Sequence, residues 1–191
     1  MSRREEMSDP PVVTGTEKET LLRVARETLV RHLTDGGIPS YTVTEPGLLQ
    51  EAAAFVTLRQ RNGQLRGCIG RVEATDSLLR TVENCAISAA TRDYRFSPVA
   101  ELAELDELII EISVLSPFRR ISSPEEIEVG RHGLLIRQGM QSGLLLPQVA
   151  SDRSWSRDEF LQAICVKADL PPDAWHTAEL SVFRAEVFEE D

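Results

Sequence analysis

The sequence predicts an α+β fold, mainly antiparallel sheet with flanking helices, in a single domain that can divide into two lobes near Pro117. Two observations predict it. Extended runs meet at turn signals twice, around Asn62-Gly63 and around residues 139–143, which reads as two β-hairpins. The helical stripes, in turn, do not alternate one for one with strands as a doubly wound parallel sheet requires. The length of 191 residues suits one core without disulfide stapling.

In chain order, Thr16 and Glu19 form a capping-box pattern ahead of Leu21, Leu22, Ala25, Leu29 and Leu33, which predicts a helix from Thr16 to about His32, stopped by Gly36 and Gly37. Residues 38–47 carry neither period and read as irregular. A strand is expected over about 53–59 and a second from Leu65, with Asn62-Gly63 in a type I′ turn. Strand alternation then puts Arg66, Cys68 and Gly70 on one face and Leu65, Gly67 and Ile69 on the other. Asp76 is placed to cap a helix whose stripe is Leu78, Leu79, Val82, Cys85, Ala86, Ala89 and Ala90. After a polar and aromatic loop, Arg92 to Pro98, residues 108–115 read as a largely buried strand that Pro117 ends. Ser123-Pro124 suggests a brief helical turn, and strands over 133–137 and 144–146 make the second hairpin. Ser156 and Glu159 repeat the capping box before a helix carrying Phe160, Leu161, Ile164 and Cys165, and residues 180–188 alternate as one closing strand.

Composition narrows the function classes. Asp and Glu outnumber Lys and Arg by 31 to 21, a net charge of −10 that repels a phosphate backbone. Arg59, Arg61, Arg66 and Arg71 could still form a local basic patch. No run has the apolar length a bilayer demands, and residues 1–11 lack the apolar core of a secretion signal and read as a tail. Three widely spaced cysteines, Cys68, Cys85 and Cys165, argue against a disulfide framework or structural zinc and make the cytoplasm the expected location. No metal or nucleotide cofactor is expected, because neither metal-ligand spacing nor a phosphate-loop pattern occurs.

Phe55-Val56-Thr57-Leu58 followed by Leu65-Arg66-Gly67-Cys68-Ile69-Gly70 resembles the AMMECR domain family, whose hallmark is the second block. Further matches are Ala89-Ala90, Arg92-Asp93, Arg95-Phe96, Pro98, Ser113-Val114-Leu115, His132-Gly133-Leu134, the run Leu145 to Ala150, Trp155, Phe160-Leu161, Cys165, Lys167-Ala168 and Trp175. Asp169 departs from the pattern, where a glycine commonly closes the helix. With no internal repeat or low-complexity tract, the chain reads as a tail over residues 1–15 and one AMMECR-like domain over 16–189, and the resemblance implies an α+β fold on antiparallel sheet. It also implies partners, since prokaryotic members are often encoded beside a Memo-like protein and a radical-SAM protein. It supplies no reaction.

The candidate centre is Cys68. Arg66 on its strand face is placed to lower the thiol pKa, and Gly67 and Gly70 give room for a ligand. His132 would serve as base or orienter if the second hairpin lies beside the first. Arg92, Asp93 and Arg95 are candidates for an anionic ligand, and Gln148 offers an amide to orient one. Each has an ordinary alternative: Cys68 as a small packing residue with glycines for close sheet packing, His132 as a loop histidine, Asp93 locked to its arginines, Gln148 satisfying backbone. Three readings follow: a thiol-dependent enzyme with Cys68, Arg66 and His132 as catalytic residues acting on a small or anionic substrate, a non-catalytic binding or adaptor module, and an RNA-binding protein.

Overall fold

The computed structural model describes residues 13–191, so most of the expected tail lies outside the described residues. Its end is already structured: Val13 is buried and Thr14 caps helix α1 (Gly15–Asp35). The capping box is Thr14 with Glu17 rather than Thr16 with Glu19, and the Glu17 carboxylate also accepts from the Gly47 N–H at 3.0 Å. That second anchor fixes the earlier start. At the other end Gly36, at φ 72°, donates its N–H to His32.

The chain forms two compact units. The first holds residues 13–115 and Glu186–Asp191. It contains α1, a single turn α2 (Pro46–Leu49), β1 (Ala54–Gln60), β2 (Leu65–Arg71), α3 (Leu78–Thr91), a short α4 (Leu102–Asp106) and β3 (Leu108–Leu115). With β8 (Ala185–Glu189) the strands make a four-stranded sheet in the order β2-β1-β3-β8. Leu21, Val24, Ala25 and Leu29 of α1, Leu78, Val82, Cys85 and Ala86 of α3, and Val56, Leu58, Ile110, Ile112 and Val114 of the sheet form its core. A helical period of 3.6 and a strand period of 2 therefore deliver their apolar positions to one interior.

The β1–β2 hairpin is present, but its turn is not type I′. Asn62 keeps a negative φ while Gly63 sits at φ 84°, Gln60 accepts from the Gly63 N–H, and the Asn62 Oδ1 accepts from the Gln64 N–H. This is a three-residue loop with one left-handed glycine, and it leaves a register shift that makes Arg66 the extra residue of β2. The cap of α3 is Ser77 rather than Asp76, because the Asp76 carboxylate is held by Arg71 at 2.6 Å.

The second unit, Ser116–Ala185, carries β4 (Arg119–Arg120), β5 (Gly133–Gln138), β6 (Gln141–Leu145), α5 (Pro147–Asp152), α6 (Arg157–Lys167) and β7 (Glu179–Phe183), with sheet order β4-β7-β5-β6. The Ser156–Glu159 capping box opens α6 as expected, and Asp169 takes the left-handed φ of 56° that a glycine would otherwise supply. The single closing strand expected over 180–188 is instead two strands in different sheets. Arg184 interrupts it: its backbone C=O accepts from the Ser116 N–H and its N–H donates to the Ser116 Oγ, each at 2.9 Å, so its peptide groups leave the ladder.

Candidate functional site

Cys68 lies mid-strand on β2, which is an edge of its sheet, directly opposite Thr57 of β1. Of the three free cysteines it alone is half-buried; Cys85 and Cys165 are sealed in the two cores. The Thr57 hydroxyl donates to the Cys68 Sγ at 3.3 Å. On the outer edge, where β2 has no neighbouring strand among the described residues, side chains stand in for one. The Cys68 N–H donates to Asp93 Oδ2 at 2.9 Å, and Arg95 Nη2 reaches the Cys68 carbonyl at 3.4 Å.

Asp93 and Arg95 are bound to each other by two parallel contacts, Nε to Oδ1 at 2.9 Å and Nη2 to Oδ2 at 2.7 Å. The guanidinium fork holds the Asp93 carboxyl at a pKa of about 2, with the Cys68 and Arg95 N–H groups helping against the cost of burial. Arg95 is raised in turn, mainly by its bond to Asp93. This arrangement is the internal lock rather than an open anion cradle. Arg92 caps α3 through its N–H to Ser88 and is exposed.

Arg66 does not serve Cys68 as expected. Its Nε meets Glu104 at 2.6 Å, and its guanidinium carbon lies 6.0 Å from the centre of the Phe96 ring, which Arg95 approaches to 5.5 Å. The cation that acts on the thiol is Arg95. Burial nevertheless dominates and raises the Cys68 pKa; Thr57 and Arg95 oppose that, and the charges of Glu111 and Asp93 add to it. The group is a neutral thiol at pH 7.

The two glycines are packing residues rather than points of ligand approach. A Cβ on Gly67 would come within 2.2 Å of the Ala89 carbonyl oxygen of α3, and one on Gly70 within 2.2 Å of the Phe55 ring. Their missing side chains admit, respectively, a helix backbone and an aromatic side chain.

His132 and Gln148 belong to the second unit. His132 is buried, its Nδ1 accepts from the Glu128 N–H at 3.1 Å, and burial lowers its pKa, so the ring stays neutral. Gln148 is half-buried in the first turn of α5.

Residue-type reasoning missed the rest of the Cys68 face. Register places Cys68, Thr57 and Glu111 in one row across β2, β1 and β3, with Gly70, Phe55 and Ser113 in the next. Arg59 stands beside Glu111, its Nε 3.4 Å from the carboxylate. The available signal was the pair Glu111 and Ser113, polar at i and i+2 in an otherwise apolar strand. Among the described residues no group of three or more His, Cys, Asp or Glu is arranged to hold a metal ion, and no helix is long and apolar enough to cross a membrane.

Two antiparallel sheets with their own helices, and a half-buried cysteine clamped on an edge strand, define an α+β protein built around a Leu-Arg-Gly-Cys-Ile-Gly strand. The AMMECR1 family model matches residues 22–188, and the chain belongs to that family. Protein MK0488 of Methanopyrus kandleri is 42% identical over 188 residues, covering 94% of this chain and 91% of its own, and protein TK0174 of Thermococcus kodakarensis is 44% identical over 187. The crystal structure of the uncharacterized protein PH0010 from Pyrococcus horikoshii superposes with a TM-score of 0.86 at 40% identity, covering 91% of each chain.

Proposed function

We propose that the chain is a non-catalytic binding module that holds a small polar ligand against the Cys68 face of its first sheet, in the service of a radical-SAM or Memo-like partner. One observation carries this reading: Cys68 is held from both sides, its Sγ by the Thr57 hydroxyl and its peptide by Asp93 and Arg95, in a setting where burial raises the thiol pKa against Thr57 and Arg95 and the charges of Glu111 and Asp93 add to the rise. A nucleophilic thiol needs the reverse balance. A neutral thiol held by Thr57 and a clamped backbone is suited to contact rather than attack. The RNA-binding reading is less well supported, since Arg59, Arg61, Arg66 and Arg71 are each paired with a carboxylate, on Glu111, Glu107, Glu104 and Asp76.

Iodoacetamide labelling of the native protein between pH 6 and pH 10, read by mass spectrometry at each cysteine, tests the reading. Cys68 is expected to react slowly at neutral pH, with the rate climbing only above the ordinary thiol value of about 8.5. The Cys68→Ser variant is expected to keep co-purifying with a radical-SAM or Memo-like protein. An inflection at or below pH 7 would return Cys68 to the role of nucleophile.

A further inference from the structure

The Cys68 face contains more polar capacity than its internal bonds use. In the row formed by Gly70, Phe55 and Ser113, the Phe55 ring fills the space a Gly70 side chain would take, so the ring leans toward β2 and away from Ser113. Ser113 is only 1% exposed, and its hydroxyl has no hydrogen-bond partner among the described residues. A hydroxyl taken out of water without a hydrogen bond is costly, so this position calls for one from outside the chain.

Two residues along β3 on the same face, the Glu111 side chain is 12% exposed. Its Oε2 is paired with Arg59 Nε at 3.4 Å, a long ion pair, while Oε1 has no partner among the described residues. Same-face neighbours on a strand are about 6.6 Å apart, so one N–H-rich group between them reaches both side chains. The unused capacity is an anionic acceptor beside a hydroxyl, and the net charge of −10 draws cations toward the protein.

We infer that Glu111 and Ser113 form a subsite for the protonated amine of the ligand, a primary ammonium group whose remaining body lies toward Thr57 and Cys68. The inference rests on the binding reading and names the class of ligand it takes. The ammonium donates to the Glu111 carboxylate and to the Ser113 oxygen, and no bond is made or broken.

The test is a series of ¹H–¹⁵N correlation spectra of the full chain titrated into the high millimolar range with propylammonium chloride, propionamide and sodium propionate, with tetramethylammonium chloride as a cation that cannot donate. Propylammonium is expected to shift the amides of Thr57, Glu111 and Ser113 saturably while tetramethylammonium does not. Glu111→Gln is expected to weaken that binding about tenfold and Ser113→Ala about fivefold. If Glu111→Gln does not fold, Ser113→Ala carries the same comparison. Saturable shifts on this face from propionamide or propionate, with none from propylammonium, would overturn the amine subsite and leave the binding reading standing. No saturable shift on the face from any of the three probes would overturn both.

Discussion

Replacing Asp93 with asparagine tests the clamp directly. The folded pKa falls from 3.8 to about 2, and at about 1.4 kcal/mol per unit this is worth about 2.5 kcal/mol. Arg95 is 42% exposed, so water screens part of that interaction, and about 2 kcal/mol is the figure to expect. Asparagine keeps an acceptor for the Cys68 N–H but cannot form the charged fork with Arg95. Because the folded pKa is depressed, the stabilisation is complete above about pH 4 and disappears as the pH falls toward 2. Urea denaturation of the wild type and Asp93→Asn at a series of pH values reads both quantities. The two should differ by about 2 kcal/mol at pH 6 and converge as the acid limb is entered. A gap below about 0.5 kcal/mol at pH 6, of the size surface changes give, or one that stays constant down to pH 2.5, would refute the reasoning.

Two further outcomes follow from packing and burial. Gly67→Ala should cost about 1–3 kcal/mol or more in the same assay, since its Cβ meets a helix carbonyl that cannot swing aside, whereas Gly15→Ala, with nothing within 4 Å, should be neutral or slightly stabilising. His132 is buried with its pKa lowered, so the unfolded chain binds its proton first and stability should fall as the pH drops below about 6.5; His132→Gln should flatten the change in urea midpoint between pH 7 and pH 5.

The elements were legible where one local rule governs them. The Ser156–Glu159 box, the stripe of α3 and the hairpin around Asn62-Gly63 needed only neighbours in sequence. The reading failed where a distant group competes for a local one. Glu17 is drawn to Gly47, Asp76 to Arg71 and the Arg184 peptide to Ser116, and each moves a cap or breaks a strand. The site follows the same division. Cys68 and the Asp93–Arg95 lock could be named from residue type. That the cation beside the thiol is Arg95, with Arg66 turned to Glu104, depends on a bulge and a loop that no spacing rule reports. Thr57, Glu111 and Ser113 appear only once register is known.

An edge strand exposes alternate N–H and C=O groups to any other chain that can pair with them. On β2 the outward groups of Cys68 are taken by a carboxylate and a guanidinium two positions apart along one loop, an acceptor for its N–H and a donor for its C=O as a neighbouring strand would present. The same loop blocks edge pairing at that point and immobilises the Cys68 peptide, while Thr57 fixes the sulfur from the β1 side. Holding a neutral thiol from both directions gives no chemical advantage to a nucleophile whose charge is suppressed. It does give a fixed shape beside Glu111 and Ser113, and shape is what recognition of a small ligand requires.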